Sequence, residues 1–420
     1  MENKKDLICP LPWMQSFVNR KGDYRLCCTS EETDNQLFDE NDFLITVESG
    51  HGLDRIMNAP LMKTVRKMMM EGEWPQWCRR CTLDEKRGGV SRRMIEMQYR
   101  EPLRKFFMDN TLPDGTLKKF EILEADYRLG NMCNLQCRMC SPNSSLRCLE
   151  YWNDVSFPRN KISFLEEQRL KSIRWFDTED FINDFKMKVS TLEVVHFAGG
   201  EPLISPRMLQ ILEMAISDGY SKKMTLSYNT NLASVPDKIW DLWKQFKKVK
   251  LLVSIDGIGK LNEYIRLGSD WDQLVRNLEK VETFCAEYPQ TEVIFCTTVQ
   301  ACNVLEIDQF FPFLQKFKHF VGMPNFVNLY HPPYLSTRVL PKEIKEKAKE
   351  RAMKMFAEAE RVLPSHYDYL RQNILNICQY MEGDDESDFE SFLEYNKRVD
   401  ARFKLNTVDY LPFLAPYLNS

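Results

Sequence analysis

The run Cys133-Asn134-Leu135-Gln136-Cys137-Arg138-Met139-Cys140 puts three thiols within eight residues. Thiolate is a soft ligand and suits iron–sulfur sites. A four-iron cluster takes four ligands, so three cysteines leave one iron open to a substrate or cofactor. A zinc knuckle would want a fourth Cys or His at short spacing, and none stands there. Cys148 is the nearest further thiol and would reach only if the loop folded back.

A second segment complements the first. Val194-Val195-His196-Phe197 reads as a strand and runs into Ala198-Gly199-Gly200-Glu201-Pro202. Paired glycines let a backbone approach a ligand closely. A carboxylate beside them accepts hydrogen bonds from an ammonium group. A second set of cysteines lies near the start of the chain: Cys9, Cys27, Cys28, Cys78 and Cys81. Cys78 and Cys81 are spaced to bind one metal together. A hairpin of Met14–Val18 and Tyr24–Cys27, turning at Gly22, would deliver Cys9 and Cys27.

The elements that must position these residues follow from periodicity. Short apolar runs at Ala125–Leu129, Leu192–Phe197, Met224–Tyr228, Val249–Ile255, Glu292–Val299 and Phe326–Tyr330 alternate with amphipathic stretches at 206–218, 236–247, 271–288 and 305–318. Strands alternating with helices predict parallel βαβ units, and six strands predict an incomplete barrel with its site at the C-terminal strand ends. Residues 54–72 read as a helix with Ile56, Leu61, Val65 and Met68–Met69 on one side. Residues 341–381 read as helical, Glu382–Glu390 as an acidic loop, and Val408–Leu418 as a docking tail.

The C-x3-C-x2-C spacing together with Gly199-Gly200-Glu201-Pro202 resembles the signature of the radical S-adenosylmethionine (radical SAM) enzymes, over roughly residues 121–330. The resemblance implies that Cys133, Cys137 and Cys140 hold a catalytic [4Fe-4S] cluster. Its open iron would chelate the amino and carboxylate groups of S-adenosylmethionine. Reduction would then give methionine and a 5′-deoxyadenosyl radical that abstracts hydrogen. Gly199, Gly200 and Glu201 match the motif that binds the methionine amino group. Met139 stands where an aromatic residue usually packs near the adenine, and keeps an apolar, polarisable contact. Asn229-Thr230-Asn231 resembles a segment near the cofactor ribose, with Leu232 in place of its glycine. Ser254 and Arg266 stand where relatives hold the cofactor carboxylate, a task suited to the arginine fork. A reductant protein such as flavodoxin or ferredoxin is implied as partner.

Cys9, Cys27, Cys78 and Cys81 resemble the twitch or SPASM type of auxiliary module, here N-terminal as in a subgroup of twitch-containing radical proteins. The resemblance implies an auxiliary [4Fe-4S] cluster with all four positions filled, transferring an electron rather than binding substrate. Zinc on the same thiols is the rival, and Cys28 rivals Cys27. Glu85, Gly88, Ser91 and Arg93 follow as in that subgroup, with no assigned role. The expected architecture is α/β: a partial (βα)6 TIM-like radical SAM barrel over 121–335. A small irregular α+β cysteine-rich twitch-like domain over 1–85 and a linker over 86–120 precede it. A helical extension over 336–420 follows.

Composition narrows the class. The 420 residues carry 57 Lys+Arg against 61 Asp+Glu, for a formal charge of −4. That excludes a strongly basic surface as the main binding device and weighs against long nucleic acid. No apolar run reaches the roughly 18 residues a membrane span needs. The 13 cysteines are odd in number and no export signal is read, so metal or redox chemistry in the cytoplasm is expected. Two other outcomes stand open. One is a radical epimerase in which Cys296 or Cys148 returns hydrogen to the substrate. The other is a non-catalytic iron–sulfur or zinc scaffold. The substrate, whether peptide, nucleotide or small metabolite, is open.

Overall fold

The computed structural model describes residues 7–30, 35–49, 52–86, 90–320, 324–362, 367–383 and 388–418. Among the described residues eight strands form a mostly parallel sheet: β1 (Gln15–Val18), β2 (Tyr24–Arg25), β3 (Glu124–Leu129), β4 (Val194–Gly199), β5 (Thr225–Thr230), β6 (Lys248–Ser254), β7 (Thr291–Val299) and β8 (Asn325–Asn328). Their order is β2-β1-β3-β4-β5-β6-β7-β8. The six strands expected from apolar runs are β3 to β8. In β6 and β7, buried residues alternate strictly with half-buried ones. That is the period-2 pattern of a strand with one face in the core. The half-buried face carries Lys250, Ser254, Cys296 and Thr298.

The chain divides into two compact units. The first holds 1–130, 173–228 and 238–249; the second holds 131–172, 229–237 and 250–420. In the first unit the expected hairpin forms, with Phe17 opposite Arg25 and Gly22 at φ 90°. Its first strand also pairs in parallel with β3, from Gln15↔Glu124 to Val18↔Tyr127. The cysteine-rich segment therefore extends the sheet and does not stand apart from it.

Residues 86–120 are not a bare linker. Ser91 caps a helix over Arg92–Arg100, and a second helix spans Arg104–Asp109. Met97 and Phe107 are buried, and Trp13 Nε1 donates to Thr111 Oγ1 at 2.8 Å. The dense charge of this stretch hid the few apolar residues that anchor it. The expected helix over 54–72 breaks at Asn58–Ala59 into Leu53–Met57 and Pro60–Glu71, and ends on Gly72 in the left-handed region. Its buried face is Met62, Val65, Arg66 and Met69, shifted from the expected Leu61 and Met68.

In the second unit, helices span Lys342–Val362, Tyr367–Met381 and Phe389–Phe403. The last begins within the stretch expected as an acidic loop, whose residues 384–387 lie outside the described ones. The tail docks as expected, with Leu411 and Leu414 buried. Among the described residues no helix is long and apolar enough to cross a membrane.

Candidate active site

The loop after β3 is fixed by its own backbone. In the second unit Gln136 N–H donates to Leu267 O at 3.0 Å, and Cys140 N–H to Cys137 O at 2.9 Å. Ser145 Oγ donates to Leu135 O at 2.5 Å. Cys137 is buried, while Cys133 and Cys140 are half-buried. Leu135 N–H points at Cys133 Sγ from 3.4 Å. Asn231 Nδ2 lies 3.7 Å from the same sulfur and donates to Asn134 Oδ1 at 2.8 Å. The Cys137 thiol is pushed well up, first by its hydrogen bond with Cys140, then by burial, with Arg266 opposing.

Arg266 is the cation of this neighbourhood. Burial works against its charge; Asp256 and then Cys137, Cys140 and Cys133 outweigh that, so its pKa is raised. Its Nη2 lies 2.8 Å from Asp256 Oδ2. Among the described residues its buried Nε has no hydrogen-bond partner. Asp256 is held in turn: Oδ1 accepts from Thr298 N at 2.7 Å, and its own N–H donates to Asn262 Oδ1 at 3.0 Å. Asp256 was not among the expected site residues. Its signal lay in Ser254-Ile255-Asp256-Gly257, an acid just past a strand end. Ser254 is half-buried at the end of β6, and Met139 is half-buried in the cysteine loop.

Thr230 Oγ1 accepts from Leu232 N at 2.9 Å. Leu232 sits at φ 53°, the region that favours glycine. Asn277 Nδ2 holds its carbonyl at 2.8 Å. The departure from the family's glycine thus leaves a glycine-like backbone. The two thiols weighed as hydrogen donors differ. Cys148 is fully buried, receives the Tyr151 hydroxyl at 3.6 Å, and is pushed up to about 12 by burial. Cys296 is half-buried on β7, and burial raises it to about 11, with a hydrogen bond to Asn325 and the Lys250 charge opposing.

In the first unit, Gly199 closes β4 at φ 120°. A Cβ there would lie 2.6 Å from Leu129 N, so only glycine fits against β3. Glu201 is buried, and its Oε1 accepts from Leu203 N at 3.1 Å, capping the turn Pro202–Ile204. Gly200 between them is half-buried.

Also in the first unit, Cys9, Cys27, Cys78 and Cys81 line one cavity of about 460 Å³, its open mouth included, with Met69, Trp74 and Trp77. Burial raises Cys9 first, then Cys27, with Cys81 and Cys78 adding. Burial also raises Cys78, with Cys27 and Cys81 adding. The four thiols are thus electrostatic neighbours. Cys28 looks elsewhere: Arg92 Nη1 donates to its sulfur at 2.9 Å. Arg92 Nη2 continues to Glu124 Oε1 at 3.2 Å. Gly88 lies outside the described residues. Among the described residues no three His, Cys, Asp or Glu side chains converge as they would on a single metal ion.

Residues 127–283 match the model of the Radical SAM superfamily. This segment is a radical SAM domain. Every expected catalytic and cofactor residue, from Cys133 to Arg266, falls inside the match. The N-terminal cysteines and the C-terminal helices fall outside it. Among solved structures, the chain is similar to native anSMEcpe with bound AdoMet and Cp18Cys peptide (TM-score 0.36, 14% identity, 60% of this chain and 61% of that one). It is similar to SuiB of Streptococcus suis bound to S-adenosylmethionine (TM-score 0.35, 12% identity, 77% of this chain and 66% of that one). It is also similar to TYW1 with a lysine-pyruvate adduct bound (TM-score 0.29, 11% identity, 55% of this chain and 70% of that one). The chain thus spans 61% of the length of the first of these. No curated protein matches it.

Proposed function

We propose that this protein is a radical SAM enzyme whose catalytic [4Fe-4S] cluster is held by Cys133, Cys137 and Cys140. When bound, cluster and cofactor supply the one-electron cleavage that yields a 5′-deoxyadenosyl radical for hydrogen abstraction. The observation that carries this reading is Arg266: a buried guanidinium whose charge is favoured by those three cysteines and whose Nε has no hydrogen-bond partner among the described residues. A donor without a partner at that depth is costly unless an acceptor arrives. The cofactor carboxylate is such an acceptor, and Ser254 would share it. Glu201, beside Gly199 and Gly200, would accept from the cofactor ammonium. Thr230 and Asn231 would face the ribose, and Met139 the adenine.

The second part of the proposal is an auxiliary [4Fe-4S] cluster on Cys9, Cys27, Cys78 and Cys81, passing an electron from or to the substrate. The shared cavity supports a cluster over zinc, because zinc at about 2.3 Å from each sulfur would draw the four thiols to one point. The Arg92 contact occupies the Cys28 sulfur, which supports Cys27 as the ligand. The helices at 92–109 would then belong to this module. Among the described residues none of the thirteen cysteines is in a disulfide, which fits a reducing cytoplasm. A flavodoxin- or ferredoxin-like reductant would feed the enzyme. The substrate is a peptide, a nucleotide or a small metabolite.

A second reading, radical epimerisation with a returning thiol hydrogen, is narrowed to Cys296. Cys148 is sealed from any substrate by full burial, whereas Cys296 is half-buried on its strand.

The test is anaerobic iron and sulfide content together with 5′-deoxyadenosine formation, for wild type and Cys133→Ala/Cys137→Ala/Cys140→Ala. The proposal expects about eight irons falling to about four, with cleavage lost in the variant. Four irons plus one zinc in wild type would demote the N-terminal module to a structural site. No cleavage by a fully loaded wild type, with and without candidate substrates, would favour a scaffold.

A further inference from the structure

Arg138 stands between Cys137 and Cys140 and is fully buried. Its Nε donates to Tyr264 O at 2.7 Å, and its Nη1 to Asn396 Oδ1 at 2.9 Å. Its Nη2 pairs with Asp400. The Tyr264 ring lies under the guanidinium, 3.6 Å from ring centre to Cζ. The main chain of the same residue is held from both sides. Its N–H donates to Ile265 O at 2.8 Å, and its carbonyl accepts the Tyr395 hydroxyl at 2.7 Å.

Tyr395, Asn396 and Asp400 all lie on the helix Phe389–Phe403 and are buried. Asn396 and Asp400 are four apart and share one helix face. Asp400 is fully engaged: its Oδ2 also accepts Thr407 Oγ1 at 2.5 Å and the Tyr264 hydroxyl at 3.2 Å. This is a finished socket for one guanidinium, built from residues far past the end of the family match at 283.

Stability alone does not explain it. A buried ion pair is often no more stable than apolar residues of similar volume, because desolvation offsets the attraction. What the planar fork provides is fixed orientation. The segment it fixes carries two of the three cysteines. Metal ligands depend on such outer partners for their geometry.

We propose that the helix Phe389–Phe403 is a clamp on the cysteine loop: Tyr395, Asn396 and Asp400 are positioning residues that hold Arg138, and through it Cys137 and Cys140. This rests on the reading of those cysteines as cluster ligands.

The test uses the full chain, reconstituted anaerobically with iron and sulfide: wild type, Arg138→Met/Asp400→Leu and Tyr395→Phe. Three readouts are taken. They are the melting temperature, the rate of iron loss to EDTA, and the change in the reduced cluster's electron paramagnetic resonance spectrum on adding S-adenosylmethionine. Iron loss is read from the phase absent in Cys133→Ala/Cys137→Ala/Cys140→Ala. The double variant removes both charges together, so it is expected to melt near wild type while losing iron about tenfold faster and showing a diminished cofactor-induced change. Tyr395→Phe should fall between. A double variant that folds and matches wild type in iron loss and spectrum overturns the clamp. If the double variant does not fold, Tyr395→Phe decides, and wild-type behaviour there overturns it. A wild type with no cofactor-induced change at all fails differently: it overturns the cluster reading and the clamp's object with it.

Discussion

Arg93 meets Glu85 with both arms of its fork, Nε to Oε1 at 2.9 Å and Nη2 to Oε2 at 2.8 Å. Its remaining arm, Nη1, donates to Ile8 O at 3.0 Å. Ser91 Oγ adds a bond to Glu85 Oε1 at 2.5 Å. Ile8 precedes Cys9, and Glu85 sits one helical turn past Cys81 on Arg79–Lys86. One guanidinium therefore ties together two segments that each bring a thiol to the N-terminal cavity.

Arg93→Ala is expected to cost about 2–3 kcal/mol, the range for losing hydrogen bonds to a charged group, and to lower iron in the N-terminal site. Arg93→Lys should recover only part, because an ammonium cannot make two parallel bonds to one carboxylate. Urea denaturation and iron analysis of the three proteins check this. Full recovery by lysine would mean that charge alone matters.

Arg66 is a structural counterpart in the same unit. It is fully buried and donates to Gly115 O, Pro12 O and Met57 O at 2.7, 2.8 and 2.8 Å. Among the described residues no carboxylate forms an ion pair with it, and three backbone carbonyls accept from it. Arg66→Leu is expected to lower stability by about 3–5 kcal/mol, since those acceptors stay buried and unpaired. A loss below about 1 kcal/mol, the size of an ordinary surface change, would show that water or a rearranged loop replaces the guanidinium.

Alkaline pH should reveal the buried group of Tyr24, Tyr127, Asp184 and Lys188. The Tyr127 hydroxyl donates to Asp184 Oδ2 at 2.8 Å, and Lys188 Nζ to the same oxygen at 2.6 Å. Burial first, and Asp184 second, push Tyr24 and Tyr127 well above the ordinary 10. A phenol whose folded pKa is raised contributes stability below its unfolded pKa and loses it as pH climbs above that. Lys188 is lowered by burial, so it acts in the opposite sense, but only up to about pH 10.4, where the unfolded lysine also becomes neutral. Above that the tyrosines decide, and stability should fall by about 1.4 kcal/mol per pH unit for each. Tyr127→Phe should shallow the slope by one such increment in urea titrations between pH 10 and 11. An unchanged slope would mean that Tyr127 ionises in the folded state.

Local chemistry was legible in the chain. The six strands are short-range patterns carried by periodicity, and the cysteine triplet and the Gly199-Gly200-Glu201 turn are short motifs carried by their spacing and resemblance. What escaped was non-local. Nothing near Arg138 announces Asp400, 262 residues away. Nothing in Gln15–Val18 says that it pairs with β3. The helices at 92–109 are held by two buried apolar residues within a charged stretch, too few to set a period. Arg66 escaped for a related reason: an arginine reads as surface until the carbonyls around it are known.

Asp256 is the sharpest omission, and it makes the last prediction. Its Oδ2 lies 2.8 Å from Arg266 Nη2, and its Oδ1 is tied to Thr298 N at 2.7 Å. The carboxylate thus fixes one edge of the guanidinium and leaves Nε turned to other work. Asp256→Asn keeps the shape and the Thr298 bond but removes the charge that favours the Arg266 cation. Iron on the Cys133 loop should stay at the wild-type level, because no thiol is altered. Affinity for S-adenosylmethionine, measured by equilibrium dialysis on the anaerobic protein, should weaken about tenfold, the cost of losing one supporting interaction of about 1.4 kcal/mol. Loss of iron without loss of affinity would assign Asp256 to the loop and not to Arg266. Unchanged values of both would mean that Arg266 is aimed by its own helix, with the carboxylate serving only to neutralise it.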